Sequence, residues 1–319
     1  MKRCLLLLLG LVLMLTLTGC GPEQNGGGAS GTENSYAVIR DDLGRTVELA
    51  EKPQRIVVTS ASFLEPLEAV GGAGLVAGRP DSRTKMPAYA KNLTSVGKVY
   101  QIDVEKVLSC NPDLVIVNKG MNEKLVDTLE SNGIRTLVLD MKSYEDVKRE
   151  VGILAQITGE KEKGEQLVRE MDDKIQSVRD RIPQQKRRVF VIHSTNQGLT
   201  VQLDGSIAGS VAHMLGWENA ASGITPLEKN PDAAPYSMET LVAQNPEILF
   251  VTSMGNLKEI QAGMDEMMQS NPAWQSVEAV RENRIYYLPQ ELFLLSPGIH
   301  YPEAVETMAK CVYPKVFAP

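Results

Sequence analysis

Aromatic residues and histidines are scarce in this chain. Phe, Trp and Tyr make up 5% of 319 residues, too few for a surface that reads nucleic-acid bases by stacking. Three histidines leave little material for metallohydrolase chemistry. Basic charge is not in excess either. Lys+Arg number 33 against 40 Asp+Glu, a net charge of -7, which argues against a nucleic-acid partner. The four cysteines, Cys4, Cys20, Cys110 and Cys311, form neither a metal-type spacing nor a disulfide framework. Cys110 and Cys311 fall in helical patterns and read as buried thiols. Gly-x-Ser-x-Gly, His-Glu-x-x-His and P-loop motifs are absent. Gly72–Ala77 fits a loose dinucleotide pattern, but it follows a helix and leads into a strand, so no helix N-terminus meets a pyrophosphate. An enzyme is therefore not expected. What is present, 43% hydrophobic and 23% charged residues, is the make-up of a soluble globular protein. The length allows one large domain or two ordinary ones.

The first residues read as an address. Lys2 and Arg3 precede an almost wholly apolar run, Leu5 to Leu17, shorter than the roughly 20 residues that span a bilayer. It fits the apolar region of a signal peptide over residues 1–19. Leu17-Thr18-Gly19-Cys20 resembles a bacterial lipobox. That resemblance implies a Cys20 that becomes the mature N-terminus and carries lipid, palmitate being the expected acyl chain. A multiply acylated Cys anchors stably where one chain does not. Residues 20–35 then form a Gly-rich tether without a large apolar residue. It cannot bury enough surface to fold, and about fifteen flexible residues reach about 20 Å.

The rest repeats itself. DVEKVLSCNPDLVIV (103–117) and SMETLVAQNPEILFV (237–251) align without a gap. Glu105 matches Glu239, Asn111 matches Asn245 and Pro112 matches Pro246. RIVVTSA from Arg55 and RVFVIHST from Arg188 recur at nearly the same offset. Two halves of similar design follow. In each copy Asp103 or Ser237 caps a short helix. Asn-Pro ends it, and LVIV or ILFV is a buried parallel strand.

Strands are expected at Arg55–Thr59, Leu75–Gly78, Leu114–Val117, Thr136–Leu139, Val189–His193, Leu249–Val251 and Ile285–Leu288. Helices are expected at Phe63–Val70 and Asn122–Asn132, and near Ser206–Leu215 and Ile260–Gln269. Such alternation predicts α/β lobes with mainly parallel sheets. The lobes are an N-terminal one over 36–143 and a C-terminal one over 185–319. Between them, 144–184 is helical by pattern, interrupted at Gly159 and Gly164, and its last part reads as one long connecting helix. Ligands of open α/β sheets gather beyond the carboxyl ends of the strands, so a cleft between lobes is the expected site. The candidates there are Ser60, Ser62, Arg79, Arg83, Asn118, Lys119 and Met121 on one side. On the other are His193, Thr195, Asn196, Thr252, Ser253, Met254, Glu291 and Phe293.

Several motifs occur in one order: DDLGRTVEL (Asp41–Leu49), RIVV (Arg55–Val58), GLVAGRP (Gly74–Pro80), the two repeats, WQSVEAVRENRIYYL (Trp274–Leu288) and SPGIHYPEAVETMA (Ser296–Ala309). Covering 38–310 or so, they resemble the class III substrate-binding lipoproteins of ABC importers, which serve iron–siderophores, haem and cobalamin. The resemblance implies two Rossmann-like lobes bridged by one long helix, with limited hinge motion. It also implies a monomer anchored on the extracytoplasmic face of a bacterial cell membrane, and a permease dimer with its cytoplasmic ATPase as partner. It assigns Glu105 and Glu239 to docking on permease arginines; each sits in a first helical turn, where negative charge is favoured.

For the cargo, Leu75–Glu105 and QELF (Gln290–Phe293) resemble the haem-receptor branch. That implies axial iron ligands from each lobe, here Tyr100 and Met254, with His300 or His193 as alternatives. Arg79, Arg83 or Lys119 would meet the propionates. No prosthetic group is implied, the iron complex being cargo. A ferric siderophore is the rival cargo, cobalamin the third, and a surface scaffold or adhesion lipoprotein without a small ligand the alternative from another class.

Overall fold

The computed structural model describes residues 35–82, 86–195, 198–294 and 296–318. The signal-peptide, lipobox and tether readings, with Cys20, lie outside the described residues, as do Arg83 and Asn196.

The described chain opens with a hairpin, β1 (Ala37–Arg40) and β2 (Thr46–Leu49). Asp41 builds its turn: the buried carboxylate accepts from the Leu43 and Arg45 amides and pairs with the Arg45 guanidinium at 2.7 Å. Then follow β3 (Ile56–Val58), α1 (Leu64–Ala69), β4 (Val76–Asp81), β5 (Thr94–Lys98), β6 (Gln101–Ile102) and α2 (Val104–Ser109). The lobe continues with β7 (Leu114–Asn118), α3 (Val126–Ser131), β8 (Arg135–Leu139) and α4 (Tyr144–Thr158). Its sheet runs β6-β5-β4-β3-β7-β8, parallel except at β6. Side-chain alternation explains the continuous apolar strands. Ile56, Val58, Leu114 and Ile116 face one core, while Val57, Val115, Val117 and Val138 face another.

Helix α5 (Lys161–Arg181) leads to the second lobe. There lie β9 (Arg188–Thr195), β10 (Gly198–Gln202), α6 (Ile207–Met214), β11 (Glu218–Asn219), β12 (Ala233–Pro235) and α7 (Met238–Gln244). β13 (Ile248–Ser253), α8 (Leu257–Ser270), α9 (Glu278–Arg281), β14 (Ile285–Tyr287), α10 (Gln290–Phe293) and α11 (Tyr301–Val312) complete it. The order is β12-β10-β9-β13-β14, with β11 beside β9. β9, β13 and β14 are parallel, but β10 runs antiparallel to both β9 and β12.

The two sequence repeats are α2–β7 and α7–β13, and the structure keeps their wiring. Asp103 and Ser237 accept from the Lys106 and Thr240 amides. Asn111 and Asn245, each before a proline, adopt left-handed backbone with φ of 47° and 39°. Arg55 donates from its guanidinium to the Cys110 carbonyl at 2.6 Å, and Arg188 to the Gln244 carbonyl at 2.7 Å. Cys110 and Gln244 are themselves repeat partners, so one arginine in each lobe satisfies the same carbonyl at a helix C-terminus.

The stretch expected to be nearly continuous helix is two helices. Gly159 closes α4 in the left-handed conformation, φ 76°. Gly164 does not interrupt anything: it lies inside α5, where a Cβ would stand 2.4 Å from the Ala155 Cβ. It is there because α4 and α5 pack too closely for a side chain. At 21 residues, α5 spans about 30 Å. The returning segment before α11 supplies a second connection. The Ser296 hydroxyl donates to the Met141 carbonyl, and Tyr301 donates to the Lys142 carbonyl at 2.7 Å. One apolar cluster runs through α4, α5 and α11 and includes residues of both sheets, Ile56 and Val191 among them. A shared core of this kind resists wide hinge opening. Among the described residues no helix is long and apolar enough to cross a membrane.

Candidate functional site

Strands β3, β4, β7 and β8 of the N-terminal lobe and β14 of the C-terminal one lead into a common cleft, which holds two adjoining cavities. The larger, about 680 Å³, is walled on the N-terminal side by Ser60–Ser62 and Glu65 after β3, and by Pro80 and Asp81 of β4 with the following Ser82. Val99, Asn118 and Met121 complete that side. Opposite stand Pro289, Glu291, Leu292, Ser296–His300 and Glu303. The smaller, about 310 Å³, lies between Asn118, Lys119 and Asp140–Lys142 of one lobe and Gln202, Ser206, Asn230, Asp232 and Phe293 of the other. Ser62, Asn118 and Ser296 border both. Lys142 and Asp232 form an ion pair across the smaller cavity.

The sequence-derived candidates divide among these places. Lys119 and Phe293 line the smaller cavity, Phe293 as a buried wall only 1% exposed. His300, Met121 and Glu291 line the larger. The His300 Nε2 stands 2.8 Å from Glu65, and Nδ1 3.4 Å from Glu303. Arg79 is not brought into the cleft. Its guanidinium donates to the Ala90 and Lys91 carbonyls and to Asp81 at 2.9 Å, so it closes the loop that follows its own strand. His193 lines neither cavity. Its Nδ1 lies 3.1 Å from the Thr252 hydroxyl, and burial pushes its pKa down, which keeps the ring neutral. Tyr100 and Met254 are 66% and 70% exposed, and neither lines either of these two cavities. Tyr100 follows Val99 on the N-lobe rim, with the Lys98 ammonium 5.8 Å from its ring centroid. Beside Met254, the Gly255 amide donates to Gln290 on the C-lobe rim. Glu105 and Glu239 are exposed in the first turns of α2 and α7, and among the described residues neither makes an ion pair.

Several lining residues were not anticipated. Asp140 and Lys142 follow the fourth expected strand, and the rule that ligands gather past strand ends would have found them. Glu65 lies in the first turn of α1, and Gln202 ends an antiparallel strand without a buried-run signature. Among the described residues no cluster of three His, Cys, Asp or Glu could hold a metal ion.

The protein compares closely with solute-binding proteins. It is 24% identical over 318 residues to the ABC transporter substrate-binding lipoprotein YvrC of Bacillus subtilis (strain 168), covering 96% of each chain. The Fe(3+)-citrate-binding protein YfmC of the same organism is 24% identical over 316 residues, covering 96% of this chain and 95% of that one. An ABC transporter substrate-binding protein of Listeria monocytogenes EGD-e superposes with a TM-score of 0.70 at 23% identity. That match covers 83% of this chain and 100% of the other. The family model described as periplasmic binding protein matches residues 56–292. With the two α/β lobes, the cleft at their strand ends and that match, the chain belongs to the periplasmic binding protein family, whose members bind solutes and are not enzymes.

Proposed function

We propose that the protein is the lipid-anchored substrate-binding component of an ABC importer, and that its cargo is a ferric siderophore. The observation that carries this is the larger cavity: about 680 Å³, walled by both lobes, in the size range of small-molecule sites. Its wall mixes hydroxyls and amides with Ala61, Pro66, Val99, Met121 and Leu292. That suits an amphipathic chelate that brings its own iron ligands. The similarity to a protein named for binding Fe(3+)-citrate supports an iron complex.

Siderophore stands ahead of haem because of charge. Among the described residues no Lys or Arg lines the larger cavity, whereas Glu65, Asp81, Glu291 and Glu303 do. Two haem propionates would meet no Lys or Arg among its described lining residues. The haem reading keeps Tyr100 and Met254 as ligands from facing rims, and Tyr and Met are both known on haem iron. Cobalamin remains the third cargo. In delivery, Glu105 and Glu239 meet the permease dimer, one from each lobe, and the ATPase acts on the cytoplasmic side. Cys20 holds the protein at the membrane; Cys20→Ala should release it.

The test is a titration of the purified protein with ferric hydroxamate, ferric catecholate, haemin and cobalamin, read by calorimetry and absorbance. Saturable binding of a siderophore complex that Tyr100→Phe leaves unchanged is expected. Saturable haemin binding that Tyr100→Phe strips of its absorption band overturns the siderophore reading. Binding of nothing overturns the solute-capture reading as well.

A further inference from the structure

The smaller cavity adjoins the larger one, but its lining is unlike that of its neighbour. Four charged side chains reach it: Lys119, Asp140, Lys142 and Asp232. Lys142 and Asp232 satisfy one another across the lobes. Lys119 and Asp140 do not; among the described residues neither joins an ion pair. The Asp140 backbone amide donates to Asp42 at 2.7 Å, which fixes the residue at the end of β8. No hydrogen bond from a described residue reaches its carboxylate, although the residue is half-buried. Burial and the nearby charge of Asp146 push its pKa up; Lys119 and Lys142 act the other way without cancelling the effect. A carboxylate drawn from water without a donor gains from an incoming cation. Four more carboxylates line the adjoining cavity, Glu65, Asp81, Glu291 and Glu303, with His300 the only basic group among its described lining residues. The two compartments open to each other past Ser62, Asn118 and Ser296, so one ligand can fill both.

We infer that the smaller cavity is a subsite for a positively charged arm of the cargo, with Asp140 as its acceptor. The cargo is then a ferric siderophore whose amphipathic body fills the larger cavity and whose pendant primary ammonium enters the smaller one. This rests on the siderophore reading of the cleft. Gln202 and Asn230, from the opposite lobe, offer amide oxygens to the remaining N–H donors. Lys119 is the cation the arm must approach, and it opposes binding.

The experiment uses two ferric trihydroxamates of one linear skeleton, one ending in a free primary amine and the other N-acetylated there. Calorimetry with the wild-type protein should give about tenfold tighter binding of the amine form. Asp140→Asn should collapse that preference towards unity, and Lys119→Met should enlarge it, while both variants keep wild-type unfolding midpoints. Equal binding of the two complexes to the wild type overturns the subsite but leaves the siderophore reading standing. A preference that survives Asp140→Asn overturns the role of that residue. The opposite pattern, tighter binding of the acetylated form with Asp140→Asn or weaker with Lys119→Met, assigns the cavity to a neutral or anionic arm instead. If neither complex binds and haemin does, the siderophore reading and the subsite fall together.

Discussion

Replacing Glu150 with Gln should stabilise the protein at neutral pH and do almost nothing below pH 5. Glu150 sits on α4 with its side chain fully buried. One carboxyl oxygen accepts from Arg149 at 3.2 Å, while the other has no partner among the described residues. Burial pushes its pKa up to about 9, the charge of Asp42 adds to this, and Arg149 offsets only part. Arg149 is shared, since it also pairs with Asp42 at 2.7 Å and with Asp146 at 2.9 Å. The folded state therefore keeps a proton on Glu150 that the unfolded chain releases above its ordinary value of 4.5. The native state binds more protons, so stability falls as pH rises, beginning near 4.5 and levelling off near 9. At pH 7, about 2.5 pH units above 4.5, retaining that proton costs about 3 kcal/mol at roughly 1.4 kcal/mol per unit.

Gln has the same shape, can donate where the protonated acid donates, and has no proton to retain. The comparison of Glu150→Gln with wild type by urea unfolding across pH 5 to 8.5 isolates this one group, because every other titration is common to both proteins. Near pH 5 the two should agree within about 1 kcal/mol, and at pH 7 the variant should lead by about 3 kcal/mol. Parallel curves across the range would refute the reasoning and mean that Glu150 is ionised in the folded protein. A variant less stable at every pH would refute it too, since the amide would then fit this buried site worse than the acid by more than the cost of the proton.

Asn111→Ala should destabilise the protein by about 1 kcal/mol, since an alanine Cβ disfavours the left-handed backbone held there, and Asn111→Gly should spare it; chemical denaturation decides. Gly164→Ala would ordinarily help a helix by about 1 kcal/mol. Here the added methyl meets Ala155, and a net loss of about 1–3 kcal/mol is expected, visible as a lower Tm. The Glu105→Ala/Glu239→Ala double variant should bind cargo within a few-fold of wild type and fail to support uptake in cells. Normal uptake, or lost cargo binding, would remove the docking role.

The fold was legible where physics acts locally. Continuous apolar runs such as LVIV and ILFV cannot be amphipathic, so they had to lie inside parallel sheets with both faces covered. The Asn-Pro pairs of the two repeats, Asn111-Pro112 and Asn245-Pro246, marked helix ends because the residue before proline leaves the helical region. β10 and β12 escaped because they are short, half-buried and antiparallel, with no run to mark them. Gly164 misled because a glycine that ends a helix and one that admits a neighbouring helix look alike in sequence. Only the partner, nine residues earlier on another helix, separates the two.

The candidate site was legible in proportion to how much of it one segment supplies. Lys119 and His300 each follow a recognisable element, and both reach the cleft. Arg79 satisfies the same strand-end rule but spends its guanidinium on the Ala90 and Lys91 carbonyls, a commitment set by where the chain turns after β4. The smaller cavity draws on six separated stretches, near Ser62, Asn118, Asp140, Gln202, Asn230 and Phe293. The stretches near Asp140, Gln202 and Asn230 carry no motif, and the property that matters, an acceptor at Asp140 without a donor among the described residues, is a relation between stretches. Lys142 shows the same dependence from the other side. Its ammonium is taken by Asp232 of the opposite lobe, so it acts on Asp140, two residues earlier, only as a nearby charge. Which of the cavity's charges are paired is thus settled between the lobes and not within either one.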